Sequence, residues 1–162
     1  MTELVLPNDT NQLGNLLGGR LMHWIDIAAA LVAMKHSGRV CVTASVDEIS
    51  FIEPIKLGHV VSIEAIITRA FTTSMEIGVI VHREDPLNSM TAHTSTAYLT
   101  FVAIDQYGKP LPVPPLNPVT HDEKRRYEEA LIRREQRLAK REQLKDLREQ
   151  YEAAASKPSK RK

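Results

Sequence analysis

The sequence has little cysteine and no long hydrophobic run, and both features limit what the protein can be. Its single cysteine, Cys41, excludes an intrachain disulfide and fits a reducing compartment. The longest apolar run, Ile25 to Met34, contains Asp26 and is too short to span a bilayer. No hydrophobic segment follows a basic N-terminal start, so we expect no signal peptide, no membrane span and a cytoplasmic location.

Net charge is also small, and it is unevenly distributed. The formal value of +1 argues against a nucleic-acid binder that relies on bulk charge. Residues 1–120 carry a net charge of −4, whereas residues 121–162 carry +5. We therefore expect one globular domain over residues 1–120 and a separate polar helix with a basic tail over residues 121–162.

The first 120 residues predict one apolar helix within a set of strands. The helix runs from Gly18 to His36, and Ser37-Gly38 ends it. Period-two alternation of apolar and polar residues marks the strands that follow. The predicted strands are Leu4 to Leu6, Arg39 to Ile52, Val60 to Arg69, Ser74 to Arg83 and Thr91 to Ile104. The order predicts an α+β domain, in which an antiparallel sheet wraps around one long central helix.

The C-terminal third begins with a proline-rich segment. Residues 109–120 contain five of the nine prolines and predict an extended strap, because proline cannot join a central ladder. Thr120 and Glu123 then fit a capping box at the start of a polar helix that reaches about Ala155. Two favourable i,i+4 pairs are expected on this helix, Asp122–Arg126 and Glu129–Arg133.

Asp26 is the unusual residue of the apolar helix. A buried carboxylate costs several kcal/mol unless it is paired, so Asp26 is either a structural hydrogen-bonding residue or a catalytic one. Gly18 and Gly19 open the same helix, where backbone amides without intrahelical partners can polarise a carbonyl oxygen. That combination suits acyl transfer or hydrolysis, although the glycines alone are also explained by close helix–sheet packing.

The segment from Asp9 to Asp26, DTNQLGNLLGGRLMHWID, resembles the hotdog-fold acyl-CoA thioesterases. It follows their pattern DTN-x-x-G-x-x-x-GG-x-[LM]-x-x-x-[ILM]-D, and it is similar in particular to the bacterial short hydrolases and the cytosolic brain-type hydrolases. Four later stretches also resemble the family: VTASVD (42–47), FIEPIKLG (51–58), GKPLPVP (108–114) and DEKRRYEE (122–129). The resemblance covers roughly residues 4–140.

The resemblance implies a hotdog fold, with active sites at the interface of a homodimer. Such dimers often assemble into hexamers as trimers of dimers. The family's catalytic residues correspond to Asp26, to Asn11 from the opposing protomer, and to Thr43. Thr43 is also explained as an ordinary strand residue, and Asn11 as a residue that closes a turn. Asn15 is a second candidate for the asparagine.

The implied reaction is hydrolysis of a fatty acyl-CoA thioester to free CoA and a carboxylic acid. The carbonyl would lie at the amides near Gly18 and Gly19, and Asp26 would act as general base or as nucleophile. No metal or cofactor is expected, since coenzyme A is part of the substrate and the product. The remaining substrate-binding candidates are Arg20, Lys56, Thr72, Thr73 and Ser74, with the last three on a turn similar to the family's nucleotide-side loop.

Three other functions fit parts of the same sequence. A hotdog dehydratase or hydratase would need a catalytic histidine near the helix start, where Gly18, Gly19 and Arg20 stand instead. A non-catalytic acyl-CoA-binding regulatory module would keep the fold and bind acyl-CoA without releasing thiol. An oligomeric scaffold, with the basic tail binding a partner, would do neither.

Overall fold

The computed structural model describes residues 1–47 and 49–155. The chain divides into two units, one that ends at Asn117 and one that begins at Pro118. The elements of the first unit are β1 (Thr2–Leu4), a short 3-10 helix (Pro7–Asp9), α1 (Gly18–Ser37), β2 (Val40–Val46), β3 (Val60–Ala70), β4 (Ser74–Asp85) and β5 (Met90–Ile104). The second unit contains α2 (His121–Ala155).

The five strands form one antiparallel sheet in the order β1-β3-β4-β5-β2. The central helix α1 packs against β2, β3, β4 and β5, so the sheet curls around it. The prediction of an antiparallel sheet wrapped around one helix is therefore confirmed. Because β2 is at the edge of the sheet, one side of its backbone has no neighbouring strand among the described residues.

The core lies between α1 and the inner face of the sheet. The helix buries large residues at its start and alanines further along, and the alanines let the backbone approach the strands closely. On β4 the alternation is as predicted, since one face consists of apolar residues that are completely buried. The principal members are Leu21, Trp24, Ile25, Ala28, Ala29 and Ala33 from α1, and Met75, Ile77, Val79 and Val81 from β4.

Two predicted strands differ in extent from the observed ones by more than a change at one end of one or two residues. The strand predicted over Arg39 to Ile52 ends at Val46, where its pairing with β5 ends. The following segment is held to β5 only by isolated bonds, such as Ile52 N to Thr94 O at 3.0 Å, and Glu48 lies outside the described residues. The first strand is Thr2–Leu4 rather than Leu4 to Leu6, since Pro7 starts a 3-10 helix.

The outer face of β4 is less exposed than simple alternation predicts. Glu76 on this face is fully buried, and the Thr68 hydroxyl donates a 2.7 Å hydrogen bond to its Oε1. A register shift between Ile67 and Arg69 turns Thr68 toward Glu76. This hydrogen bond replaces part of the hydration that Glu76 loses on burial.

The proline-rich strap runs beside the end of the sheet without joining it as a strand. Leu111 N donates to Ala103 O at 2.8 Å, and Val113 N donates to Thr72 O at 3.0 Å. The residues that make these bonds alternate with prolines, which have no N–H to donate. The extended strap predicted for residues 109–120 is therefore present in its first half.

The second unit is a long polar helix whose start has the predicted capping box. Glu123 N donates to Thr120 Oγ1 at 3.2 Å, and Thr120 N donates to Glu123 Oε2 at 2.8 Å. Glu129 pairs with Arg133 at 3.9 Å, as predicted. Asp122, however, pairs with Arg125 at 3.7 Å rather than with Arg126. The basic residues beyond Ala155 lie outside the described residues.

Replacement of Gly38 tests the C-terminal cap of α1. Gly38 has a φ of 62° and a left-handed backbone, so Gly38→Ala should lower the free energy of unfolding by about 1 kcal/mol. Urea denaturation measures this loss. Gly19→Ala is the matched control, because Gly19 is helical and a Cβ there would meet no atom within 4 Å. Equal stability of Gly38→Ala and wild type would contradict the cap.

Candidate active site

Asp26 lies in the third turn of α1 and is joined to the edge strand β2. The Thr43 hydroxyl donates a 2.7 Å hydrogen bond to Asp26 Oδ1. The carboxylate is half-buried, and its second oxygen accepts no hydrogen bond from the residues that the structure describes. A carboxylate that is fixed through one oxygen can use the other on a water or a substrate atom.

The predicted substrate-binding turn lies at the same end of the sheet as Thr43. Thr43 pairs with Phe101, and Phe101 pairs with Met75, which follows the turn directly. Two strand spacings therefore separate Thr43 from this turn, or about 10 Å. The turn is fastened on both sides, since Ala103 N donates to its Thr73 carbonyl at 3.1 Å and Phe71 N donates to its Ser74 carbonyl at 2.8 Å.

The start of α1 presents unoccupied backbone donors. Leu17 precedes the helix and provides no side-chain cap. The N–H groups of Gly18 and Gly19 have no acceptor within the described part of the chain, and both glycines are exposed. A Cβ added to Gly18 would lie 3.4 Å from the Phe51 ring, so an apolar side chain borders these donors. The pair can stabilise negative charge on a carbonyl oxygen.

Asn11 closes a loop and still keeps a free amide group. Its Oδ1 accepts hydrogen bonds from Leu13 N at 2.9 Å and Asn15 N at 3.1 Å. Two backbone donors facing one side-chain atom identify that atom as the oxygen. The Asn11 side chain is exposed, and its NH₂ group donates to no described residue. Asn11 can therefore close the turn through its Oδ1 and still use its NH₂ group to bind a ligand.

Lys56 lies beside this loop. Asn15 and Lys56 form an isolated antiparallel bridge, and Leu57 N donates to Gly14 O at 2.9 Å. The structure thus brings Asn11, Asn15 and Lys56 together at the start of α1.

Arg20, predicted to bind substrate, already has a protein partner. Its Nε donates to Asp9 Oδ1 at 2.8 Å, and its guanidinium lies 5.4 Å from the centre of the Trp24 ring. Asp9 is the first residue of the DTN motif, but the sequence alone predicted no role for it. An acidic residue within a predicted turn, followed by an arginine near the helix start, was the available signal.

The candidate residues form two groups along α1. The first contains Asp26, Thr43 and the turn at Thr72, and the second contains Asn11 with the glycines at the helix start. Eight residues of helix separate Gly18 from Asp26, which is about 12 Å along the axis. No hydrogen bond between described residues joins the two groups.

The described residues show neither a metal-binding cluster nor a membrane-spanning helix. They contain no group of three or more His, Cys, Asp or Glu residues that could hold a metal ion. No helix in the described ranges is long and apolar enough to cross a membrane.

Comparison with known proteins identifies the family. A family model described as the thioesterase superfamily matches residues 13–89. A hexameric acyl-CoA thioesterase solved in its apo form has a TM-score of 0.83 at 44% identity, over 86% of this chain and 90% of that one. The chain belongs to the thioesterase superfamily. The predicted hotdog family and its class of acyl-CoA thioester hydrolases are thereby confirmed.

Two more thioesterases add detail. An acyl-CoA hydrolase from Staphylococcus aureus, solved with butyryl-CoA, CoA and CoA disulfide, has a TM-score of 0.85 at 40% identity, over 93% of this chain and 92% of that one. Further structures of that hydrolase are alanine variants of an aspartate, a threonine and an asparagine. Mouse acyl-coenzyme A thioesterase 11 is 42% identical over 91% of this chain, which spans only 25% of the mouse protein.

His59 supports the Lys56 side of the site in its neutral form. The ring is buried, and its Nδ1 accepts a 3.3 Å hydrogen bond from Lys56 N. Burial, and secondarily the positive charge of Arg83, lower the pKa of His59 below its ordinary value of about 6.5. Protonation therefore opposes folding at this position.

Stability should consequently fall in mild acid. Below about pH 6.5 the unfolded chain takes up a proton at His59 that the folded chain resists, so the free energy of unfolding decreases. His59→Gln keeps a hydrogen-bond acceptor and should reduce this decrease, as measured by urea denaturation between about pH 8 and about pH 5.5. His121→Gln, at an exposed position, is the control. An unchanged pH dependence in His59→Gln would refute the assignment.

Proposed function

We propose that this thioesterase hydrolyses fatty acyl-CoA at a site shared by two protomers. One protomer contributes Asp26 and Thr43, and the other contributes Asn11 and the amides of Gly18 and Gly19. The observation that carries this proposal is the separation of about 12 Å between Gly18 and Asp26 within one chain. A base and an oxyanion donor must both lie about 3 Å from the reacting group, so residues of a single chain do not suffice.

The relatives support the choice of residues. In the Staphylococcus aureus hydrolase, the asparagine, aspartate and threonine replaced by alanine are separated by the same intervals along the chain as Asn11, Asp26 and Thr43. This agreement favours Asn11 over Asn15. It also favours a functional role for Thr43 in addition to its place in the strand.

The edge strand β2 supports the dimer. It lies next to Asp26, and it carries exposed valines at positions 40, 42 and 46. The neighbouring surface of α1 also exposes apolar side chains, namely Met22, Ile27, Leu31 and Met34. An apolar edge of this kind is suited to pairing with a second copy of itself across a two-fold axis. By analogy with the hexameric relative, we propose that three such dimers assemble into a hexamer.

The proposed chemistry needs no metal or cofactor. Asp26 takes a proton from a water, which attacks the thioester carbon and forms a C–O bond. The amides of Gly18 and Gly19 stabilise the negative charge that develops on the carbonyl oxygen. The C–S bond then breaks, and the proton held by Asp26 passes to the departing CoA sulfur. Asn11 and Thr43 orient the water and the carboxylate.

Direct attack by Asp26 through an anhydride gives the same products. A single turnover in ¹⁸O-labelled water identifies one form of the nucleophilic route. A general base directs the label into the fatty acid and leaves Asp26 unlabelled. In the nucleophilic route, water attack on the Asp26 carbonyl of the anhydride labels Asp26 and releases unlabelled acid, whereas attack on the acyl carbonyl labels the acid as a general base does. A labelled Asp26 therefore shows the anhydride.

The binding candidates suit the two chemically different parts of an acyl-CoA, the phosphate-bearing coenzyme and the apolar acyl chain. Lys56 and the turn of Thr72, Thr73 and Ser74 offer a cation, hydroxyls and amides suited to phosphate oxygens. Arg20 retains exposed guanidinium N–H groups beside its bond to Asp9. We place the nucleotide and pantetheine on these groups and the acyl chain on the apolar surface of α1.

Thiol release from acyl-CoAs of graded chain length tests this function. Asp26→Ala should lower kcat at least about 100-fold, the usual contribution of a positioned acid–base group. Asn11→Ala removes a group that orients the water, and a misplaced reactant can also cost about 100-fold in kcat. Thr43→Val removes a hydrogen bond to a carboxylate, so we expect kcat to fall about tenfold or more.

Thr100→Val is the matched control for Thr43→Val. Thr100 lies in the adjacent strand β5, and its buried hydroxyl binds no described residue. We expect this variant to keep full activity. Binding of acyl-CoA without thiol release at any chain length would instead favour the non-catalytic regulatory module.

A further inference from the structure

The Asp9 carboxylate lies beside the proposed site and takes no part in the proposed chemistry. Its side chain is 4% exposed, and both oxygens are occupied. Oδ1 accepts from Arg20 Nε at 2.8 Å, and Oδ2 accepts from Leu6 N at 3.1 Å. A charge removed from water persists only where such bonds replace its hydration, so this position is strongly constrained.

Asp9 also holds the two ends of the Asn11 loop together. Its backbone carbonyl accepts a 2.9 Å hydrogen bond from Leu17 N, the residue before α1. The next pair inward, Thr10 and Leu16, forms an antiparallel bridge, and then Asn11 N donates to Asn15 O at 2.8 Å. The loop is thus closed stepwise from Asp9 to the turn that contains Asn11.

Arg20 connects this loop to a rigid part of the molecule. The guanidinium stacks near Trp24, which is 4% exposed and belongs to the core. Arginine is suited to this place because its planar group binds a carboxylate and an aromatic ring at the same time. The ion pair therefore ties the loop to α1, in addition to the backbone bonds that join it to the segment around Lys56.

We propose that Asp9 and Arg20 are positioning residues that aim the Asn11 amide at the reacting group. The ion pair fixes the loop, the loop's amides hold Asn11 Oδ1, and the free NH₂ group then points outward from the protomer. This inference rests on the proposed function of Asn11. Asp9 touches no substrate in this scheme and acts only through Asn11.

A double-mutant cycle tests the proposal. Asp9→Asn keeps the size of the side chain but removes its charge, and it should lower kcat/KM about tenfold in the wild-type background. In the Asn11→Ala background the same change should cost less than about twofold, because the group it positions is absent. Equal losses in both backgrounds would overturn the proposal. If Asp9→Asn does not fold, Arg20→Lys is the second variant. Because Arg20 is also a binding candidate, its effect is measured as kcat at saturating acyl-CoA, where it should show the same coupling to Asn11.

Hydrogen exchange gives a second readout that needs no activity. The amides of Leu13 and Asn15, both bonded to Asn11 Oδ1, should exchange at least several-fold faster in Asp9→Asn than in wild type. Asp105→Asn is the matched control, since Asp105 Oδ1 accepts from Tyr107 N and Lys109 N in a loop after β5. Unchanged exchange in Asp9→Asn would contradict the positioning role. Absence of thiol release by wild type would instead refute the proposed function.

Discussion

The packing of α1 inside the curled sheet is the constraint on which the rest of the structure depends. Strands β2 to β5 all contact this helix, so most of its surface must be apolar and much of it small. Within 20 residues the helix contains one acidic residue, Asp26, and that residue faces the edge strand β2. The helix start and the β2 edge remain accessible, and the proposed site is built from these two places.

A single protomer separates the parts that hydrolysis needs. The carboxylate lies in the third turn of α1, and the backbone donors lie at its start. The proposed dimer across the β2 edge would resolve this separation and would also cover apolar residues that one chain leaves exposed. In the proposed scheme, oligomerisation and catalysis therefore follow from one geometric requirement, and the proposed role of the Asp9–Arg20 pair is to position the asparagine loop.

Much of the fold could be predicted from local patterns. The apolar run of α1, its end at Gly38 and the capping box at Thr120 and Glu123 each follow from short-range chemistry. The strand predicted to Ile52 was too long, because strand-forming residues (Ile49, Phe51 and Ile52) continue beyond Val46, where pairing stops. Tertiary contacts such as Thr68 with Glu76 leave no periodic signal in the sequence.

The candidate site was predicted by motif rather than by periodicity. Asp26 is a candidate because it interrupts an apolar helix. Thr43 is a candidate only through the resemblance to the hotdog-fold acyl-CoA thioesterases. Its hydrogen bond to Asp26 depends on how β2 folds back along α1, which no local pattern specifies. The most direct test of the shared site is co-expression of Asp26→Ala with Asn11→Ala protomers. If each site uses both protomers, half of the dimers carry one intact site, and activity should return to roughly a quarter of wild type. Activity no higher than that of either variant alone would contradict the shared site.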